Sequence, residues 1–294
     1  MHVLSVSSLK GGVGKTTVAL GLASAAFSRG LRTLVVDLDP QSDVSTGMDV
    51  NPEEYSNISQ VLEKPQTVRA AIAPSGWNKH HEGLIHLLVG SPSAINFDVP
   101  HPTIREIWKL EEALAIVEAD YDLVIIDCAP SLNALTRTAW AASDRVLVVT
   151  EPGFFAVAAA DRALRAIEEV RRGISPRLEP LGILINRARP QSTEHQFRIK
   201  ELKDLFGSLV LSPQLPERTS LQQTQGAAKP VHLWPGETAQ EMAGYFDEVL
   251  DQVVASANID AGVVRPTTRR TVDSAFVAEE EPVGEDTAVT DADQ

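Results

Sequence analysis

The sequence predicts a doubly wound α/β fold, a mostly parallel sheet with helices on both faces. Three observations carry that expectation. Short runs rich in valine, isoleucine and leucine recur along the chain, as in strands covered on both sides. Segments of helical period lie between them. The chemically capable polar residues fall just after the runs, at the carboxyl ends of the expected strands, where such sheets bind ligands.

The elements follow in order. "HVLSVSS" (2–8) is the first strand. "TTVALGLASAAFSRG" (16–30) is an alanine-rich helix, and Gly30 stops it. "RTLVVDLD" (32–39) is the second strand. The segment 40–83 has no regular period and is expected to be an elaboration or a helical subregion. Further strands follow at "LIHLLVG" (84–90), "YDLVIIDCA" (121–129), "RVLVVTE" (145–151) and "LGILINR" (181–187). "FAVAAADRALRAIEEVRRG" places Val157, Ala160, Leu164 and Ile167 on one helical face. "TAQEMAGYFDEVLDQVVAS" (238–256) reads as a closing amphipathic helix. The domain is therefore expected over 1–257. Residues 258–294 hold nine acids and three arginines with little periodicity, and are expected to be an acidic, disordered tail.

Composition excludes several classes. The net charge of −14 argues against a chain that is basic all over, as many nucleic-acid binders are, though not against a local basic patch. One cysteine, Cys128, leaves no internal disulfide and too few thiols for an iron–sulfur site, and its place after a core strand reads as packing. No apolar run reaches the roughly 20 residues of a membrane span. The expectation is a cytoplasmic protein without integral membrane association.

The first motif is "LKGGVGKTT", between the first strand and the first helix. Gly11, Gly12 and Gly14 free the backbone to bring its N–H groups close to phosphate oxygens, with Val13 between them. The helix beginning near Lys15 directs its positive end at the same anion. Lys15 is expected to reach the β- and γ-phosphates, Thr16 to coordinate Mg²⁺ and Thr17 to assist at the α-phosphate. The usual pattern has glycine six residues before the loop lysine; here that position is Leu9, and Lys10 follows. A second cation near a γ-phosphate offsets charge in phosphoryl transfer, on its own nucleotide or on a neighbour's. "TLVVDLDPQSD" ends a strand in Asp37 and Asp39 on one side of it. "YDLVIIDCAPSL" ends another in Asp127, a carboxylate placed to hold Mg²⁺.

"KGGVGKTT" resembles the deviant Walker A motif of the ParA/MinD group of P-loop ATPases, and "DLDPQ" is similar to that group's second motif. The resemblance spans roughly residues 2–255. It implies a signature lysine at Lys10 that contacts the partner subunit's ATP in a dimer. It implies a water-positioning role for Asp39 and a supporting role for Asp37 around Mg²⁺. It implies adenine contacts at Asn186, Pro216 and Glu217. Catalysis is thereby assigned to Lys10, Lys15 and Asp39, and metal binding to Thr16, Asp37 and Asp127.

The same resemblance implies an Mg²⁺-dependent ATPase, slow and stimulated by a ParB-like activator. Its role would be to segregate or position DNA or another large cargo, in the cytoplasm and on the nucleoid. In flavour the chain is nearest to actinobacterial ParA-like proteins. Nonspecific DNA binding draws on ten basic residues between 162 and 203, a stretch of net +5. Many family members carry arginine where this sequence has Ser220. A MinD-like membrane-associated regulator of division is the alternative, disfavoured by the acidic end. An ATP-binding scaffold with negligible hydrolysis is disfavoured because Lys10, Lys15, Asp39 and Asp127 are all present.

Overall fold

A computed structural model describes residues 1–79 and 84–257. The expected tail, 258–294, lies outside the described residues. Among these, seven strands form one sheet: β1 (His2–Ser7), β2 (Thr33–Asp37), β3 (Ile72–Pro74), β4 (Ile85–Leu88), β5 (Leu123–Asp127), β6 (Arg145–Thr150) and β7 (Glu179–Ile185). Their order is β3-β4-β2-β5-β1-β6-β7. Every neighbouring pair is parallel except β3 with β4. The six expected strands are present. The seventh, β3, is a three-residue antiparallel edge inside the segment without a regular period.

The helices are α1 (Lys15–Ser28), α2 (Asp43–Gly47), α3 (Ile58–Glu63), α4 (Ile104–Ile107) and α5 (Lys109–Ile116), then α6 (Ala134–Ala141), α7 (Ala156–Gly173), α8 (Thr193–Phe206), α9 (Thr219–Gly226) and α10 (Glu237–Ala257). Alternate strand residues feed two separate cores, one on each face of the sheet. Leu4, Val6, Val35, Ile125 and Leu147 pack with α1 and α10. Val3, Val36, Val124, Ile126 and Val148 pack with α3, α5, α6 and α7. Burial on both faces explains why the strands read as near-continuous apolar runs.

α1 is buried over most of its length, between the sheet and α10. The two helices approach so closely at Gly21 that an added Cβ would lie 2.2 Å from the Phe246 ring. α1 ends as the sequence predicts, with Gly30 at a left-handed φ of 71°. On α7 the buried set is Ala156, Ala160, Ala163, Ile167 and Val170, with Val157 and Leu164 half-buried at its flank. The carboxyl ends of β1, β2 and β5 sit side by side at the middle of the sheet, so the loops that follow them meet in one place.

Candidate nucleotide-binding site

The loop from Ser8 to Gly14 links central strand β1 to buried α1, so both of its ends are rigid. Ser8 closes the entry turn: its hydroxyl accepts from the Lys10 N–H at 3.1 Å and donates to the Lys10 carbonyl at 3.0 Å. Gly12 and Gly14 adopt φ of 78° and 89°, open to glycine at little cost. Gly14 is also required for space, since a Cβ there would lie 2.4 Å from Asn186 Nδ2. Asn186, just beyond β7, donates that amide to the Val13 carbonyl at 2.8 Å. Arg187 next to it donates to the Gly12 carbonyl. The far end of β7 thus braces the loop's carbonyls. α1 starts at Lys15 with no side-chain cap and no acid in its first turn. Its unpaired N–H groups and dipole are left for an anion.

Below the loop lies a floor of carboxylates. Asp37 and Asp127 are register partners on β2 and β5, both fully buried. Thr16 donates its hydroxyl to Asp127 Oδ2 at 2.6 Å. Asp37 Oδ2 accepts from the Ser45 N–H at 3.0 Å and the Ser45 hydroxyl at 2.9 Å. Gly90 makes room, since a Cβ there would lie 2.6 Å from Asp37 Oδ2. Among the described residues, Asp37 Oδ1, Asp127 Oδ1 and the Ser42 hydroxyl are buried without hydrogen-bond partners. Burial, with Asp127 nearby, pushes the Asp37 carboxyl up to about 8. Burial also pushes Asp127 up to about 7, against the Thr16 hydroxyl and Lys15, which favour its ionised form. Such oxygens suit a hard divalent cation, which would supply the missing charge. No three or more His, Cys, Asp or Glu side chains converge to hold a metal ion among the described residues. Mg²⁺, held by one or two carboxylates with phosphates and water, does not require that many.

The two lysines separate cleanly. Lys15 is buried, its Nζ 3.9 Å from Asp39 Oδ2. Asp39 is itself held by the Gln41 N–H, which donates to its Oδ1 at 3.0 Å. Lys10 stands at the rim, its side chain 54% exposed and paired with Glu151 at the end of β6. Glu151 was not singled out in the sequence, although it ends a strand at the same edge of the sheet. Ser45 was also missed; its hydrogen bonds to Asp37 arise only when α2 packs over the end of β2.

The remaining candidates gather around β7. Leu215 donates its N–H to the Ile185 carbonyl at 2.8 Å, and Ala188 bridges Pro216, so residues 215–217 run beside Asn186. Glu217 pairs with Arg189. Thr17 accepts from the Gln225 amide of α9 at 2.9 Å, which ties that helix to the loop. Ser220 is buried in α9.

The basic stretch 162–203 looks different in three dimensions. Its excess of five charges is offset by five carboxylates from outside it: Asp161, Glu111, Asp144, Asp204 and Glu217 pair with Arg165, Arg177, Lys200 and Arg189. Among the described residues of the stretch, Arg162, Arg187 and Lys203 make no ion pair, and Arg187 is engaged with the Gly12 carbonyl. A linear count misses partners that tertiary packing supplies.

A parallel sheet whose first strand runs through a glycine loop into an uncapped helix, with carboxylates on two adjacent strand ends, defines a P-loop nucleotide-binding protein. Comparison with known proteins narrows the class. Residues 1–180 match the model of a family described as an AAA domain. The chromosome partitioning protein ParA of Caulobacter vibrioides is 30% identical, over 83% of this chain and 91% of its own. The chromosome-partitioning ATPase Soj of Thermus thermophilus is 32% identical, over 78% and 86%. The solved structure of cobyrinic acid a,c-diamide synthase from Mycobacterium smegmatis, with bound ADP and magnesium, is 28% identical. It covers 78% of this chain and 92% of that one, with a TM-score of 0.67. The chain belongs to the ParA-like family of P-loop ATPases.

Proposed function

We propose that the protein is an ATP-driven, two-subunit switch that segregates or positions DNA or another large cargo. The observation that carries this reading is the division between its lysines. Lys15 is committed to the floor of its own site, whereas Lys10 stands exposed at the rim, able to reach a nucleotide held by a second copy. The named activities of the Caulobacter and Thermus relatives support the partitioning role.

In this reading the loop N–H groups of Gly11, Gly12, Val13 and Gly14 hold the phosphates, Lys15 neutralises the β- and γ-phosphates, and Thr17 assists at the α-phosphate. Thr16 and Asp127, supported by Asp37, hold Mg²⁺, which when bound neutralises phosphate charge. The magnesium-bound Mycobacterium smegmatis structure supports that assignment. Asp39 positions the attacking water. Asn186, Pro216 and Glu217 form the adenine side, with Asn186 also bracing the loop. Residues 1–257 make up the ATPase domain. Arg162 and Lys203 lead the contacts to DNA phosphates, and a ParB-like activator speeds the slow turnover.

The test is sedimentation with and without ATP, beside co-sedimentation with plasmid DNA and with anionic liposomes. The switch predicts an ATP-dependent dimer that Lys10→Ala weakens, and salt-sensitive DNA binding by the ATP form. A monomer at all ATP concentrations would overturn it. Liposome binding without DNA binding would move the protein to membrane-associated positioning.

A further inference from the structure

The loop between β6 and α7 carries a feature that nucleotide chemistry does not use. Phe154 and Phe155 are adjacent, 70% and 68% exposed, the most exposed large apolar side chains among the described residues. Their rings stack edge to face with centroids 5.0 Å apart. The Arg198 guanidinium lies 5.1 Å from the Phe154 centroid and fixes that ring from the α8 side. Two aromatic rings held in place and left in water mark a contact surface. The pair is not remote from the site. Phe154, Phe155, Lys10 and Glu151 line one cleft.

The chemistry of the cleft rim selects the occupant. Lys10 and Glu151 put one positive and one negative charge beside the aromatic pair. A rim without net charge gives little attraction to anionic lipid or to nucleic-acid phosphate. It is complementary to itself. A two-fold axis would set Glu151 of each copy against the lysine-bearing side of the other, with the phenylalanines at the centre. We infer that Phe154 and Phe155 are the apolar anchor of the homodimer, and that their occupant is the same loop of a second copy of this chain. The inference rests on the two-subunit reading above and adds to it. Lys10 supplies the nucleotide-dependent part of the contact, and the aromatic pair supplies part of its affinity at any nucleotide state.

The experiment compares wild type with the double variant Phe154→Ser, Phe155→Ser by sedimentation over a concentration series with ATP. Fluorescent-nucleotide titration of the monomer is run in parallel. The expected result is dimerisation weakened by about 30-fold or more, the scale of losing central interface residues, with nucleotide affinity of the monomer unchanged. A second measurement guards against misfolding. Phe155→Cys, treated with a short bis-maleimide, should give a covalent dimer with ATP, because Cys128 is fully buried and does not compete. A double variant that dimerises like wild type, or a Phe155→Cys protein that does not cross-link while its ATP dimer forms, overturns the anchor and leaves the two-subunit reading standing. A wild type that never dimerises overturns both. Vesicle binding by wild type that the double variant loses also overturns the anchor, since it assigns the patch to lipid.

Discussion

The floor and the rim of the phosphate loop are built on opposite principles. At the floor, Lys15, Asp37, Asp39 and Asp127 are buried, and their neighbours hold them from several elements. At the rim, Lys10, Glu151, Phe154 and Phe155 are solvated, and each is held on one side at most. The difference teaches where the molecule is complete. The floor has its carboxylates in place, fixed by hydrogen bonds from Thr16, Gln41 and Ser45. The rim is held more loosely, by the single pair of Lys10 with Glu151 and by Arg198 over Phe154, and the proposed second copy would meet the molecule there.

Four outcomes would break or sharpen that contrast. The largest belongs to the floor. Asp39→Ala should lower ATP turnover by roughly 1,000-fold, within the range for a lost proton-handling group, with nucleotide affinity nearly unchanged. Phosphate release in single-turnover conditions measures it, and turnover near wild type removes Asp39 from the chemistry. Next, Lys15→Ala should weaken nucleotide binding by about 100-fold, the worth of a charge-assisted hydrogen bond of about 3 kcal/mol. Equilibrium titration of the monomer measures it. Lys10→Ala, by contrast, should shift monomer affinity by no more than about threefold, as expected of an exposed cation, while ATP-dependent dimerisation is weakened. Equal affinity losses for the two lysines would erase the distinction between floor and rim.

The smallest effect is a pH dependence confined to the floor. Asp37 titrates near 8 in the folded chain, against an ordinary 3.8. A carboxyl with a raised folded value contributes stability that is full below pH 4 and lost as pH rises through 8. The ligand-free protein should therefore melt at a lower temperature at pH 8.5 than at pH 5.5, and Asp37→Asn should flatten that slope. Calorimetry with and without Mg²⁺–nucleotide reads it, because bound cation favours the ionised form and should reverse the slope. A slope unchanged in Asp37→Asn would place the titrating group elsewhere.

Most of the floor could be read in the sequence, and most of the rim could not. Lys15, Thr16, Asp37 and Asp127 sit at fixed offsets from strands whose burial on both faces makes them conspicuous. Their placement follows from topology, which brings β2, β5 and β1 side by side. β3 was missed because three residues ending in Pro74 carry no period and pair only at an edge. The brace from Asn186 to Val13 joins residues 173 apart, and local pattern holds no trace of it. The basic stretch misled in the other direction. Its charge is real along the chain and largely paired in space, since α8 matches Arg198 with Glu194 and Glu201, and Lys200 with Asp204.

The bond from Thr16 to Asp127 spans 111 residues, and it closes only when β5 has inserted between β1 and β2. During synthesis the glycine loop leaves the ribosome long before Asp127 does. A nascent chain that ends before β5 has emerged has a phosphate loop but lacks the Asp127 side of its floor. The Thr16–Asp127 bond therefore forms only in chains whose central three strands have already found their order.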